Sequence, residues 1–294
     1  MRTFLVVLLL MLAVSSSFAG TGLAFLEIPV GARESALGGS GVALITGPTS
    51  ATYNPAVPAF TPRGIALMLT KHFADTRSEF IGFTVHRGRL ALSPSYLGTR
   101  VSDIEFRDQP SVNPISTFDA VNSAVGAALA FKISDKYSVG VAGRYLYQKI
   151  QLEASRGYGL DAGALARDVV PGLTLGAAVQ NMGEMSAFVV ESPKLPTTVR
   201  GGAAYEHALP KIGSVMVTAE AQGIRDNKPL FKGGVEYRAP GYLALRAGYV
   251  QGLDAQNISF GLGFYISQFR LDYAFIPFKE NLGEGHRFSF AFDI

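Results

Sequence analysis

Apolar and polar residues alternate with a period of two through most of this chain, and most cleanly at its end. In QFRLDYAFI, residues 268–276, Phe269, Leu271, Tyr273 and Phe275 fall on one face of an extended strand, and Gln268, Arg270, Asp272 and Ala274 on the other. After a turn-like run from Pro277 to Glu284, HRFSFAFDI sets His286, Phe288, Phe290, Phe292 and Ile294 against Arg287, Ser289, Ala291 and Asp293. A chain that repeats this pattern in nearly every segment needs an equally large partner for its apolar faces. A lipid bilayer is such a partner. A slip of one residue would then turn Arg270 toward hydrocarbon at about 2–4 kcal/mol near the midplane, so the pattern sets its own orientation.

Extended segments are expected at about 64–72, 77–86, 88–97, 119–132, 136–150, 156–167, 171–181, 197–207, 213–222, 229–238, 242–250, 256–266, 268–276 and 285–294. Connections after even-numbered segments are short, such as Arg87, Ser134-Asp135 and Ser267. Those after odd-numbered segments are mostly longer, up to the stretch Gly98–Phe118. Short turns on one rim and longer loops on the other are how an outer-membrane barrel is built. In the middle segments Leu243, Leu245, Ala247 and Tyr249 oppose Ala244, Arg246 and Gly248, while Phe231, Val235 and Tyr237 oppose Lys232, Glu236 and Arg238. The charges share the face that would line a lumen. Alternation is weaker from Ile65 to Tyr96. The expected fold is all-β, a transmembrane antiparallel β-barrel of about 14 strands, with room for an internal plug and a ligand.

Ahead of the barrel, from Gly22 to Pro62, the period of two is absent. Ala32–Leu37 reads as a short helix ended by Gly38-Gly39, and Pro48, Pro55, Pro58 and Pro62 break later extension. Few charges and many apolar residues argue against full solvation. Residues 20–62 are therefore expected to form a plug inside a barrel of residues 63–294. At the very start, Arg2, the apolar run Phe4–Val14 and Ser17-Phe18-Ala19 read as a secretory signal, residues 1–19, cleaved before Gly20.

Composition sharpens this picture. Hydrophobic residues make up 48% of the chain and charged residues 17%, below the roughly 25% charged that is usual in soluble proteins. No apolar run after the signal reaches the ~20 residues of a spanning helix, which leaves strands to cross the bilayer. The absence of cysteine removes disulfides and thiol chemistry. A net charge of +3 is mild, and no stretch interleaves Lys and Arg with aromatic platforms, so no nucleic-acid partner is expected. His72, His86, His207 and His286 stand in no nucleophile motif and do not cluster with carboxylates at ligand spacing. No catalytic residue, metal or cofactor is expected. Gly38-Gly39-Ser40-Gly41 lacks the Gly-Lys-Ser/Thr ending of a phosphate loop and reads as a turn.

Arg144, Arg200, Arg246 and Arg270 fall on the lumenal face, and two roles are open to them. Guanidinium binds carboxylate bidentately, so they could hold the head of an amphipathic ligand. Alternatively they pair with Asp161, Glu220, Glu236 and Asp272 across neighbouring strands and hold wall and plug together. Asn54-Pro55-Ala56 reads first as a structural turn, Pro55 setting φ and Asn54 bonding backbone nearby.

Gly31-Ala32-Arg33, Ala36-Leu37-Gly38-Gly39 and Asn54-Pro55-Ala56 ahead of the first strand together resemble the N-terminal region of the PorV/PorQ family of outer-membrane proteins, itself similar to the FadL transporters. The likeness continues through LPTTVRGGAAYE (195–206), LALRAGY (243–249), FRLDYAFIPF (269–278) and His286-Arg287. It implies a fourteen-stranded FadL-like barrel with its N-terminal segment as a hatch, and a gating role for Asn54-Pro55-Ala56. PorV-like members act with the type IX secretion machinery, which implies secretion-system subunits or secreted proteins as partners at the loop rim. FadL-like members pass hydrophobic molecules such as long-chain fatty acids, which implies an apolar pocket between plug and wall and a lateral gap near Pro94. A purely structural barrel needs neither. The closing strand, with Phe288, Phe290, Phe292 and Ile294, resembles the C-terminal signal read by the barrel-assembly machinery. The expected location is the outer membrane of a Gram-negative-type bacterium, surrounded by its lipid.

Overall fold

The computed structural model describes residues 22–72, 76–110, 112–188 and 190–294, so the expected signal lies outside the described residues. Fourteen strands follow one another: β1 (Gly64–Lys71), β2 (Thr76–Arg87), β3 (Leu90–Phe106), β4 (Ser116–Lys132), β5 (Tyr137–Ile150), β6 (Glu153–Ala166) and β7 (Leu173–Met185), then β8 (Thr198–Leu209), β9 (Gly213–Ile224), β10 (Leu230–Arg238), β11 (Leu243–Gln251), β12 (Ile258–Ile266), β13 (Phe269–Pro277) and β14 (Glu284–Asp293). Each pairs antiparallel with its sequence neighbours, and β1 pairs with β14 from Gly64↔Asp293 to Lys71↔His286, which closes the barrel and leaves no free edge.

The wall follows the alternation of the sequence. On β11, Ala244, Arg246 and Val250 are buried while Leu245, Ala247 and Tyr249 are exposed. On β13 and β14, Arg270, Asp272, Arg287 and Ser289 face inward, with Phe269, Leu271, Phe288 and Phe290 outward. An exposed apolar belt around a charged interior is stable only in lipid, and the protein is an outer-membrane β-barrel.

One expectation is corrected. Gly98–Phe118 is mostly strand rather than loop, because β3 runs on to Phe106 and β4 begins at Ser116, leaving 107–115 as the connection. A bulge lies between Val101 and Ile104, with Asp103 at φ 58°, after which Ile104 pairs with Phe118. The bulge swaps the two faces, and beyond it both carry polar residues, so no single alternation runs through the hairpin.

Residues 22–62 hold three single-turn 3₁₀ helices, Ala24–Glu27, Pro48–Thr52 and Val57–Phe60, and a short helix α1 (Ala32–Ala36). α1 ends where expected. Gly38 and Gly39 take φ of 71° and 77°, and the Gly39 N–H donates to the Glu34 carbonyl at 2.9 Å, satisfying an orphan carbonyl of the last turn. From Val30 to Ser50 every residue but Ile45 is buried. The segment packs on inward-facing side chains, α1 against β11 to β14 and Val57–Phe60 against β3 to β5.

Candidate functional site in the lumen

The inner wall meets the N-terminal segment through side chains that alternation placed on the lumenal face. Arg33 of α1 donates from Nε and Nη2 to both oxygens of Glu236 on β10, each at 2.8 Å. The same carboxylate accepts from Arg246 on β11, and Arg246 also pairs with Asp272 on β13 at 2.8 Å. Asp272 in turn accepts from Arg270 at 2.9 Å, and Arg270 donates to the Thr46 carbonyl at 2.8 Å. This chain of charges returns to the segment it started from. Buried ions are tolerated when each is paired and hydrogen-bonded in this way.

A second set centres on Glu220 of β9. One oxygen accepts from the backbone N–H groups of Gly41 and Val42, at 2.8 and 2.9 Å, and the other from Arg200 at 2.8 Å. Arg200 also donates to Gln180, which donates to the Thr52 carbonyl at 2.7 Å. Arg144 is different. It pairs with Asp161 and donates to Asn181 at 3.1 Å, all three on the wall. Arg144, Arg200 and Arg246 thus pair with Asp161, Glu220 and Glu236 across neighbouring strands, whereas Arg270 pairs with Asp272 within β13 rather than across to another strand.

Asn54-Pro55-Ala56 sits wholly buried against β5 and β6. The Asn54 amide donates to the Val42 and Ala164 carbonyls at 2.9 and 3.0 Å, its oxygen accepts the Ala56 N–H, and Ser138 donates to the Ala56 carbonyl at 2.9 Å. The strands come close here. A Cβ on Gly140 or Gly163 would overlap the Pro55 carbonyl or the Asn54 side chain, so glycine is what admits the turn.

Sequence reasoning did not single out Arg33, Lys232 or Arg287 as contacts of the segment. Lys232 donates to the Gly39 carbonyl at 3.3 Å, and Arg287 to the Pro29 carbonyl and the Ser35 hydroxyl. The signal that marks Lys232 and Arg287 is their place in the inward register of β10 and β14. Within the segment, burial pushes the Glu34 carboxyl above its ordinary range, against the Thr49 hydroxyl that donates to it at 2.8 Å. Phe288 and Phe290 point outward, Phe292 is half-buried, and the Ile294 N–H donates to the Arg63 carbonyl at 2.8 Å.

The segment lies between two vestibules. At the longer-loop rim a cavity of about 450 Å³ is lined by Phe25, Ile28, Val101, Leu253 and Phe278, with Glu27, His72, Asn122, Gln148 and Arg287 among its polar members. Burial, with Arg287 nearby, lowers the His72 imidazole to about 3. At the short-turn rim a more polar cavity of about 270 Å³ reaches Arg33, Arg167, Glu206 and Arg238. Two gaps between segment and wall, beside Tyr53 and beside Ala51, hold only about 20 Å³ each. Each has room for about one water molecule. At Pro94 the β2–β3 ladder loses two residue pairs, but the Ser93 hydroxyl donates to the Phe83 carbonyl at 2.7 Å and bridges the break.

The profile of the family described as "Type IX secretion system protein PorV" matches residues 14–174, just over half of the chain. No curated protein sequence matches it. Among solved structures, the CymD monoaromatic hydrocarbon channel is similar at a TM-score of 0.60 and 13% identity, over 95% of this chain and 99% of that one. The Pseudomonas putida toluene transporter TodX gives 0.60 at 13% identity, over 94% and 98%. A Pseudomonas aeruginosa FadL homologue gives 0.52 at 13% identity, over 95% and 100%. At such identities the likeness speaks for the fold alone.

Proposed function

The chain belongs to the type IX secretion system protein PorV family, and on that premise we propose that it is a non-enzymatic scaffold or shuttle barrel that engages secreted proteins or secretion-system subunits at its longer-loop rim. The observation that carries this reading is the family match. The clamped interior supports it, because the segment is held by ionic and backbone contacts from β5 to β14 and the gaps beside it are water-sized. On this reading residues 20–62 are a plug, residues 1–19 are removed on export, and the Phe288–Ile294 strand is read by the assembly machinery.

A second reading is import of hydrophobic molecules. It is favoured by the apolar vestibule of about 450 Å³ at the longer-loop rim and by the interrupted β2–β3 ladder at Pro94. The structurally similar CymD and TodX are hydrocarbon channels.

Cross-linked pull-down of the tagged mature protein from outer membranes, with proteins and extracted lipids both identified by mass spectrometry, separates the two. Secreted proteins or secretion-channel subunits are the expected yield. A stoichiometric hydrophobe without a protein partner would overturn the scaffold reading in favour of transport.

A further inference from the structure

On the outside of the wall, at the longer-loop rim, three cations stand side by side. Lys71 on β1 lies directly opposite Arg77 on β2, and Arg77 directly opposite Arg100 on β3. All three are exposed and share the outward register of Leu67, Leu69 and Ile81. Like charges directly opposite one another on an antiparallel ladder are destabilising. Arg100 pairs with Asp119 at 2.7 Å, but Lys71 and Arg77 have no carboxylate partner among the described residues. Glu79, two residues from Arg77 on the same face, accepts from the Tyr96 hydroxyl at 3.3 Å, and Glu284 meets His286 at 3.1 Å. Among the described residues, two of the three cations in the row lack a carboxylate partner.

Its height says which anion is at hand. From Leu90 to Arg100 the outward positions of β3 carry no charge until Arg100 itself. Ten residues at ~3.3 Å rise and a tilt of ~40° put the row ~25 Å above the lower end of the apolar belt, which is the height of such a belt. The cations therefore stand where outer-leaflet headgroups begin. They share one groove of about 930 Å³ with Leu69, Tyr96, Phe288 and Glu79.

We propose that Lys71, Arg77 and Arg100 bind the phosphate of a phosphorylated outer-leaflet lipid whose acyl chains lie on Leu67, Leu69, Ile81 and Phe288. Charge complementarity supplies the headgroup contact, and the apolar field directly beneath distinguishes a lipid from a free anion. The proposal rests on the outer-membrane placement of the barrel and not on its cargo.

The test is binding of diphosphoryl lipid A, dephosphorylated lipid A and phosphatidylcholine to the purified full barrel in detergent, by native mass spectrometry and thermal shift. Wild type is expected to prefer the diphosphoryl form by about tenfold or more. The K71Q/R77Q double variant should lose that preference, and K71R/R77K should keep it. Without lipid, K71Q/R77Q should melt at the same or a higher temperature than wild type, since only repulsion has been removed. Equal binding of phosphorylated and dephosphorylated lipid A, a preference surviving in K71Q/R77Q, or equal protection by inorganic phosphate would each overturn the proposal.

Discussion

Arg33 and Glu236 lie 203 residues apart in the chain and meet inside the barrel in a fork of two hydrogen bonds, each 2.8 Å. Both are buried, and Glu236 also serves Arg246. Removing the shared carboxylate strands Arg33 and takes from Arg246 one of its two carboxylates, whereas removing Arg33 leaves Glu236 its wall partners. The Glu236→Ala variant should therefore lose about 3–5 kcal/mol of stability and Arg33→Met clearly less. Urea unfolding of the refolded barrel, with protease sensitivity of the N-terminal segment as a second readout, checks the order. Equal losses would show that Glu236 is not the hub.

The turn at Asn54-Pro55 depends on bare backbone opposite it. Gly163→Ala, whose new methyl would overlap the Asn54 side chain, should cost about 1–3 kcal/mol as overpacking does. Gly143→Ala, whose methyl would meet only Leu160 at 3.7 Å, is the control and should be near neutral. Thermal unfolding of both variants decides it.

His72 gives the upper vestibule a pH dependence. Its ordinary value is 6.5 and its folded value about 3, so between these the unfolded chain binds the extra proton. Stability is fully present above pH 6.5 and falls as the pH drops toward 3, by on the order of 1 kcal/mol per pH unit. Glu34 works in the opposite sense, since its raised folded value favours the protonated form and disfavours folding as pH rises through it. Comparing melting at pH 7 and pH 4 in wild type and His72→Gln isolates the histidine. The variant should lose less on acidification.

The Ser93 hydroxyl stands in for a missing ladder bond beside Pro94. Ser93→Ala should cost about 1 kcal/mol and speed amide hydrogen exchange around Phe83–Val85 on β2. Exchange unchanged from wild type would mean that the neighbouring pairs hold the ladder by themselves.

The strand count was legible because lipid and lumen impose opposite chemistry on successive residues, as Leu243 to Tyr249 and Phe269 to Phe275 show. The β3–β4 extension was not, because the bulge at Asp103 swaps faces and exposed residues such as Asp103, Glu105 and Thr117 stand beyond the lipid that would enforce contrast. Inside, the pairing of Arg200 with Glu220 across β8 and β9 could be read from the alternation, and so could that of Arg270 with Asp272, two residues on along the same face of β13. What they hold could not. Gly41 and Val42 reach Glu220 through backbone N–H groups, which every residue type but proline offers, so no side chain advertises the contact.

The N-terminal segment leads straight into β1, yet the contacts that lodge α1 come from β10 to β14. α1, near the start of the described residues, must wait for the last strands before it has anywhere to rest. Contacts of such long sequence separation form late. Seating of the segment and sealing of the β1–β14 seam therefore draw on the same closing strands, which makes a correctly filled interior a built-in proof that synthesis and insertion have run to completion.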